Sequence, residues 1–541
     1  MALTLEQAIG QKLMVSFIGQ TVTPEVAARL RRQHVGGFTI FRHRNVSNPA
    51  QVRELTAGLQ QVAAESGQPP LILGADQEGG TLLAIAGTTL FPGNLALGAA
   101  GSADLARRTG RALGLELAAM GINVNYAPVC DVSMNALNPV VGPRSFGEDP
   151  ALVAELSAAL VEGLQSAGVA ATPKHFPGHG DTAFDTHYGT PVLAYEPHRF
   201  QDVQLRPFRA AVDAGAKMVM TAHVAVPALN GGLELPSTLS PAIIRQLLRR
   251  DLGFEGVVIS DAMDMKAIEQ GAGLVIDAIT AAGAGVDLLL LQGDSDQTDA
   301  VYAGLLQATR RGLLSAADQL ASAERVLALK RWLAAQPQPA LDVVACAEHQ
   351  ALARETARQA LTLVRDDAHR LPLRSPAGAR IAAVAPRPAD LTPADTSSYI
   401  VPSLAAALRA YHPAVDEFLI PLNPPEAEAL ALAEQLSGYD LVIAGTINSG
   451  AHAGQATLIN ALLERNLPLI AVALRMPTDL AAYPTAPTYL CSYSILEPAL
   501  EALAAALWAS SPAPAICRSP SPISIHWATA RPSPRNFPWW N

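Results

Sequence analysis

Residues 256–264 read GVVISDAMD, an apolar run that leads into aspartates. Its apolar side chains do not alternate with polar ones, which is typical of a strand buried on both faces in a parallel sheet. Similar runs recur, each followed by a helical stretch: GGFTIF (36–41), PLILGAD (70–76), INVNYAPVCDV (122–132), VAATPKHF (169–176), AKMVMTAHV (216–224) and GVDLLLLQ (285–292). Strand and helix repetition at this spacing predicts a (β/α) barrel of the TIM type.

Most of these runs finish on a polar or ionisable residue: Asp76, Asp131, Lys174 with His175, His223, Asp261 and Gln292. In a parallel barrel the carboxyl ends of all strands share one rim, and active sites form there. Each polar residue taken alone could merely cap the helix that follows it. Because six strand ends share the feature, we expect a functional site at this rim.

A second series of strands begins after two prolines in AAQPQPALDVVA (334–345). Its runs are ALTLVRDD (360–367), RIAAVAPR (380–387), DEFLIPL (416–422), YDLVIAGTIN (439–448), LPLIAVALR (467–475) and TYLCSYS (488–494). They predict an α/β chain in which the barrel is followed by a smaller, doubly wound α/β sandwich domain. We therefore divide the chain into a catalytic barrel (1–334), a linker (335–347), the sandwich domain (348–510) and an irregular tail rich in Pro, Ser and Trp (511–541).

Composition excludes several classes of protein. Half of the 541 residues are hydrophobic and the net charge is -10, which disfavours nucleic acid and an anionic membrane as partners. The N-terminus has no basic leader, and no apolar stretch approaches the ~20 residues of a membrane span. The four cysteines are widely separated, without a C-x-x-C pair, so we expect reduced thiols in a cytoplasmic protein.

Residues 174–187, KHFPGHGDTAFDTH, concentrate ionisable side chains in a Pro/Gly-rich loop. The side chains with metal-ligand chemistry are His175, His179, Asp181, Asp185 and His187, so a metal-dependent hydrolase is one alternative. Metal ligands usually lie on rigid elements, and this stretch reads as a loop. Asp185 and His187 are two residues apart, a spacing that suits a carboxylate orienting an imidazole for proton transfer. The third possibility is that the histidines have only a structural role and form hydrogen bonds within a turn.

A proton donor needs a reaction partner, and the end of the sixth strand supplies a carboxylate. Asp261 at the rim can attack an electrophilic carbon to form an ester, and Asp264 is a second, less well placed choice. A carboxylate facing a proton donor across a cleft is the arrangement of a retaining glycosidase. The donor is usually a second carboxylate, whereas here it would be His187 steered by Asp185.

The loop KHFPGHGDTAFDTHYGTP closely resembles the signature of bacterial β-N-acetylglucosaminidases (β-hexosaminidases) of glycoside hydrolase family 3. Further matching motifs follow in family order: DQEGG (76–80), NYAPVCDV (125–132), GPRSFGEDP (142–150), MTAHV (220–224), PSTLSP (236–241) and LGFEGVVISDAMDM (252–265). The resemblance implies a barrel that carries the catalysis, Asp261 as nucleophile, His187 as acid/base and Asp185 as its partner. It also implies that the terminal sugar is bound by Asp76, Arg144, Lys174 and His175, with Asp131 and His223 nearby.

The resemblance further implies removal of terminal β-linked N-acetylglucosamine from muropeptides or chitin-type oligosaccharides, as in cell-wall recycling, without a metal or organic cofactor. The sequence departs from the family pattern after DQEGG, where an arginine is usual and Thr81 and Ala84 stand instead. It also lacks the short Gly-x-Leu-Pro-Val-type strand that ends the second domain of relatives. Two other functions stay open: a phosphorylase with the same residues, and a non-catalytic sugar-binding protein.

Overall fold

The structure is a computed structural model, and it describes residues 3–135, 138, 140–182, 189–193, 197–268, 272–292 and 295–509. The tail predicted to be irregular (511–541) lies outside these residues, as do Asp185 and His187.

Within the described residues, the N-terminal part forms an eight-stranded parallel sheet and a two-stranded hairpin. The strands of this part are β1 (Leu13–Val15), β2 (Gly37–Thr39), β3 (Ile72–Ala75), β4 (Gln77–Gly79), β5 (Leu82–Leu83), β6 (Val124–Asn125), β7 (Ala170–Ala171), β8 (Met218–Thr221), β9 (Val257–Ala262) and β10 (Leu288–Leu291). The order β7-β6-β3-β2-β1-β10-β9-β8 brings β7 and β8 together, where Phe176 bridges to Thr221 in parallel. The sheet therefore curls into a barrel, as predicted.

The barrel strands are buried on both faces and mostly apolar, since their side chains point either into the barrel or against the surrounding helices. β10 is an uninterrupted run of four buried leucines, and β1 pairs with it in register from Leu13 opposite Leu289. β1 is the barrel strand that our sequence reading missed. With three residues it is too short to form a recognisable apolar run.

Helices alternate with the barrel strands and pack outside them. The helices of this part are α1 (Leu5–Gly10), α2 (Pro24–Gln33), α3 (Arg42–Asn45), α4 (Pro49–Glu65), α5 (Asn94–Ala100), α6 (Ala103–Ala119), α7 (Pro150–Ser166), α8 (Pro197–Val203), α9 (Leu205–Asp213), α10 (Ala272–Ala284), α11 (Ser295–Arg310) and α12 (Ala316–Ala334), with a π-type helix at Ala242–Asp251. Several begin where a side chain accepts a hydrogen bond from the first turn, as Asn48 does for α4 and Asp149 for α7, with proline following at the first helical position.

The second part of the chain is a six-stranded sheet with helices on both sides. Its strands are β11 (Thr362–Asp366), β12 (Ile381–Pro386), β13 (Val415–Ile420), β14 (Leu441–Thr446), β15 (Leu469–Ala473) and β16 (Thr488–Cys491), and its helices are α13 (Ala347–Ala360), α14 (Leu404–Arg409), α15 (Glu426–Gln435), α16 (Ala453–Glu464) and α17 (Glu497–Trp508). The order β11-β16-β15-β14-β12-β13 has β11 antiparallel to β16, and the other pairs are parallel. The predicted doubly wound sandwich is confirmed, while the exact domain boundaries stay a prediction.

The order of this sheet reverses at β12, which lies between β13 and β14. A crevice opens at such a switch point, at the carboxyl ends of the strands. The segment 387–403 leaves the sheet at this crevice and reaches the barrel, where Thr396 Oγ1 accepts a hydrogen bond from the Leu83 amide at 2.9 Å. The carboxyl edges of the two sheets therefore approach one another.

The two parts are also joined by packing. Leu95, Ala96 and Ala99 of α5 are buried in the same apolar cluster as strand residues of the second sheet. Behind them, the buried Glu116 carboxylate of α6 accepts a hydrogen bond from the Ala345 amide at 3.1 Å and lies 2.8 Å from Nδ1 of His349 in α13. These contacts hold the second sheet against the barrel.

Candidate active site

A cavity of about 580 Å³ opens where the barrel rim meets the second sheet. Of the residues predicted to form the site, Asp76, Arg144, Lys174, His175 and Asp261 line it. They come from the ends of three strands, β3, β7 and β9, and from one loop, so the barrel brings together residues up to 185 positions apart in the chain. Residues 390–396 and Tyr399, from the second sheet, line the opposite side.

The strongest electrostatic feature of the cavity is a buried cluster of two cations and two carboxylates. Lys174 Nζ lies 2.6 Å from Asp76 Oδ1 and 2.6 Å from Glu78 Oε1. Arg144 donates two hydrogen bonds to the Glu78 carboxylate, from Nε at 2.9 Å and from Nη2 at 2.7 Å. Each charged group is paired with a group of opposite charge. The pairing is needed because all of these side chains except Asp76 are almost fully buried, and an unpaired buried charge would destabilise the fold.

The pairing decides which groups are ionised. Burial acts to raise the pKa of Glu78, but the Arg144 and Lys174 cations outweigh burial and lower this pKa to about 2. Burial likewise opposes the charge of Lys174, and the neighbouring Asp76 and Glu78 carboxylates raise the pKa of its ammonium overall. Glu78 and Lys174 are therefore both charged at neutral pH, and the ion pairs hold the donors and acceptors of the cluster in fixed positions.

Glu78 was missing from the predicted set, although it lies within the quoted DQEGG motif. The signal was a second carboxylate two residues after Asp76. Its environment depends on the turn that follows, where Gly79 and Gly80 adopt positive φ angles of 84° and 62°. A Cβ on Gly80 would lie 3.0 Å from the carbonyl oxygen of Pro92, so only glycine fits there without strain.

Asp131 and His175 form a second pair beside this cluster. Asp131 is fully buried; its Oδ2 lies 2.7 Å from His175 Nδ1, and its Oδ1 accepts a hydrogen bond from the His179 amide at 2.7 Å. Burial acts to raise the pKa of Asp131, but the two histidines outweigh it and the pKa is lowered. Since an ionised carboxylate only accepts, His175 donates from Nδ1 and directs Nε2 towards Arg144, 3.5 Å away. Asp131 therefore orients a cavity residue from behind.

His223 is also fully buried and does not line the cavity. Its Nε2 donates to the carbonyl oxygen of Ala262 at 3.0 Å, and Nδ1 lies 2.8 Å from Thr238 Oγ1. Burial lowers the pKa of His223 despite the nearby Asp261 carboxylate, so the ring is neutral at pH 7. It holds the backbone next to Asp261 instead of presenting a nitrogen to the cavity.

Asp261 lies in β9, half-buried, with Oδ1 accepting a hydrogen bond from the Ala262 amide at 2.8 Å. Asp264 is three residues further on, and its Oδ1 accepts a hydrogen bond from the Gln292 amide at 3.3 Å. Burial raises the pKa of Asp264. Asp264 is absent from the cavity lining, so of the two aspartates Asp261 is the one that faces the cavity.

The loop that carries the predicted proton donor is described up to Asp181 and Thr182. Its first half is tightly held: a Cβ on Gly180 would lie 1.8 Å from the carbonyl oxygen of Val132, and His179 Nδ1 lies 2.7 Å from Thr182 Oγ1. His179, which the sequence suggested only as a possible metal ligand, lines the cavity. Asp185 and His187 lie outside the described residues, so their roles stay predictions.

Two absences apply to the described part of the chain. No group of three or more His, Cys, Asp or Glu residues there is arranged to hold a metal ion. Among the helices that the structure describes, none is both long enough and apolar enough to cross a bilayer.

Comparison with known proteins identifies relatives of the same family and fold. The family model of the glycosyl hydrolase family 3 N-terminal domain matches residues 4–329. A β-hexosaminidase A of Pseudoalteromonas piscicida is 36% identical over 413 residues, 69% of each chain. A β-N-acetylglucosaminidase/β-glucosidase of Cellulomonas fimi is 32% identical over 383 residues, 68% of this chain and 66% of that protein.

Solved structures extend the likeness to both domains. The glycoside hydrolase family 3 β-N-acetylglucosaminidase of Paenibacillus sp. FPU-7 superposes with a TM-score of 0.90 at 36% identity, covering 97% of this chain and 99% of that one. A β-glucoside phosphorylase superposes with a TM-score of 0.79 over 98% of this chain and 95% of that one, but at 21% identity this likeness shows the fold alone.

The barrel, the charged cavity at its rim and these relatives together define a glycoside hydrolase. The chain belongs to glycosyl hydrolase family 3, which confirms the resemblance in its sequence motifs.

Proposed function

We propose that the protein is a retaining exo-β-N-acetylglucosaminidase. The observation that supports this most directly is that Asp261 lines the same cavity as Asp76, Arg144 and Lys174, three members of the charged cluster that Glu78 completes. A carboxylate nucleophile needs a sugar held in one orientation beside it, and fixed donors and acceptors can bind several hydroxyls at once. The names of the relatives indicate the sugar, a β-linked N-acetylhexosamine.

The proposed reaction has two displacements. In the first, an Oδ of Asp261 bonds to the anomeric carbon while the bond from that carbon to the leaving oxygen breaks, and His187 gives its proton to that oxygen. In the second, a water oxygen bonds to the anomeric carbon, its proton goes to His187, and the ester bond to Asp261 breaks. Each step inverts the anomeric carbon, so the configuration is retained. Asp185 orients the imidazole throughout.

The remaining residues bind and position the sugar. We propose that Asp76, Arg144, Lys174 and His175 bind its hydroxyls, with Asp131 holding His175 and His223 holding the backbone at Ala262. The natural substrates would be muropeptides or chitin-type oligosaccharides, cleaved in the cytoplasm during cell-wall recycling or amino-sugar catabolism. No metal or organic cofactor enters this mechanism.

One assay tests the proposal against its alternatives. The purified protein should cleave an aryl β-N-acetylglucosaminide and release free N-acetylglucosamine, with the β-anomer appearing first by NMR. The same products should form with and without added inorganic phosphate. Formation of N-acetylglucosamine 1-phosphate would identify a phosphorylase, and binding of N-acetylglucosamine without any turnover would indicate a sugar-binding protein.

A further inference from the structure

The second sheet contributes one wall of the cavity through the loop 390–399, and that wall is rigidly built. The buried Asp395 carboxylate accepts hydrogen bonds from the Leu391 amide at 3.1 Å and from the Ser397 amide at 2.8 Å. Arg475, which follows β15, donates to the same carboxylate at 3.0 Å, and this ion pair is almost fully buried. The loop is therefore fixed before any ligand arrives.

The same loop is attached directly to the barrel. Thr396 donates its amide to the Thr81 carbonyl oxygen at 2.8 Å, and its hydroxyl accepts from the Leu83 amide at 2.9 Å. The partners of Thr396 belong to the hairpin that carries Glu78. The wall from the second sheet thus keeps a fixed distance from the charged cluster that we propose binds the terminal sugar.

At the outer part of this wall, Arg42 and Tyr399 meet across the two domains. The Arg42 guanidinium carbon lies 4.4 Å from the centre of the Tyr399 ring, and Nη1 donates to the Leu83 carbonyl oxygen at 3.0 Å. Tyr399 remains 49% exposed although it lines the cavity. A half-exposed tyrosine ring offers apolar surface on which the apolar face of a sugar ring can stack.

Arg42 is a cation without a matching carboxylate. Among the described residues, no Asp or Glu oxygen lies within the 4.0 Å of an ion pair with it. Asp390 is the carboxylate that acts on it at longer range, and both Asp390 oxygens accept hydrogen bonds from Ser398 at 2.7 Å. Burial lowers the pKa of Arg42 despite Tyr399 and Asp390, yet an arginine stays charged at neutral pH.

We propose that Arg42 and Tyr399 form the subsite for the leaving group, and that Arg42 selects a leaving-group sugar that carries a carboxylate. The inference depends on the proposed glycosidase function. An exo-acting enzyme holds the terminal sugar at the deep, charged end of its cavity, so the next unit must lie towards the outer wall. There a half-buried, unpaired guanidinium favours an anion over a neutral group. Thr81 and Ala84 occupy the hairpin positions where an arginine is usual in the family, and they carry no charge. Arg42 supplies a positive charge beside this hairpin from another part of the barrel.

The test compares three substrates that share the terminal N-acetylglucosamine: an aryl β-N-acetylglucosaminide, neutral N,N′-diacetylchitobiose and the acidic N-acetylglucosaminyl-N-acetylmuramic acid disaccharide. The wild type should have a higher kcat/KM for the acidic than for the neutral disaccharide, and added salt should reduce this preference by screening the charge. Arg42→Gln should lower kcat/KM for the acidic disaccharide about tenfold more than for the other two. Arg42→Lys, which keeps the charge, should retain most of the preference.

Tyr399→Ala should lower kcat/KM for both disaccharides more than for the aryl substrate, because stacking does not depend on charge. The exposed Arg250, which pairs with Asp251 on the barrel surface, provides the matched control as Arg250→Gln. The selection by charge would be wrong if Arg42→Gln lowered kcat/KM equally for both disaccharides. It would also be wrong if the wild type had a higher kcat/KM for the neutral disaccharide at low salt. A wild type inactive on the aryl substrate would instead overturn the glycosidase function itself.

Discussion

The Nζ atom of Lys174 lies 2.6 Å from Oδ1 of Asp76, and this ion pair joins residues that follow two different barrel strands, β7 and β3. The same ammonium lies 2.6 Å from Oε1 of Glu78, so one buried cation forms ion pairs with two carboxylates. Asp76 and Glu78 are two residues apart at the start of the hairpin, and Lys174 bridges their carboxylates. The position of the proposed sugar-binding acceptors therefore depends on a residue about a hundred positions away in the chain.

Lys174→Met should lower kcat/KM on an aryl β-N-acetylglucosaminide by about a hundredfold, since Asp76 loses its ion-pair partner and Glu78 keeps only Arg144. The pKa of Glu78 should rise from its value of about 2, because Lys174 is one of the two cations that lower it. Steady-state kinetics measures the first effect. Lys217→Met, which removes a lysine outside the cavity lining, is the control. A folded Lys174 variant with normal kcat/KM would show that the cluster does not bind substrate.

Asp261→Asn should lower turnover by several orders of magnitude with an unchanged circular dichroism spectrum, because the amide cannot form the covalent ester. Asp264→Asn should have a much smaller effect, since Asp264 does not line the cavity and its raised pKa reflects burial. Mass spectrometry of wild-type protein trapped with a fluorinated substrate analogue should find the label on Asp261. A label on Asp264 would exchange the roles of the two residues.

The sequence was sufficient to predict features with a local signature. Long apolar runs such as 285–292 predicted the strands, and the position of polar residues at strand ends predicted that Asp76, Lys174 and Asp261 would meet. Features made by contacts between distant residues could not be predicted. The docking of Thr396 on Thr81 and the pairing of Arg42 with Tyr399 depend on how two domains pack, which no local pattern encodes.

Lys330 in α12 predicts a pH dependence of stability. Its ammonium is buried, donates to Gln11 Oε1 at 2.6 Å, and burial lowers its pKa to about 7. In the unfolded chain the pKa is the ordinary 10.5, so between these two values the unfolded state binds more protons. The free energy of unfolding should therefore rise with pH across this window. Lys12, with a pKa lowered to about 8 by burial, contributes with the same sign.

Lys330→Met should be more stable than the wild type at neutral pH, by about 1 kcal/mol or more, and should show a weaker rise in stability towards alkaline pH. Urea unfolding followed by tryptophan fluorescence at two pH values measures both effects. Lys217→Met, which removes a lysine that does not contact Gln11, again serves as the control. A Lys330→Met variant less stable than the wild type would mean that the hydrogen bond to Gln11 outweighs the cost of burying the charge.

A metal centre in the loop 174–187 and the proposed glycosidase mechanism predict opposite effects of metal removal on activity. If the histidines act by binding and proton transfer, prolonged treatment with a chelator should leave activity on the aryl substrate unchanged. Elemental analysis of the active protein should then find metal well below one equivalent. Activity that is lost on chelation and restored by Zn²⁺ would assign the loop to a metal centre.

His187→Ala separates the two chemical steps. Protonation of the leaving oxygen matters greatly for a sugar leaving group and little for an acidic nitrophenol, so the variant should lose far more activity on disaccharides than on the aryl substrate. Hydrolysis of the ester also needs a base, so the aryl substrate should give a burst, with glycosyl-enzyme visible by intact mass spectrometry, and the pH profile should flatten. Asp185→Ala should behave in the same way but more mildly, because this variant keeps the His187 imidazole and loses only the carboxylate that orients it. Equal losses on both classes of substrate, with no intermediate detected, would reassign His187 to substrate binding and direct the search for the acid towards another residue.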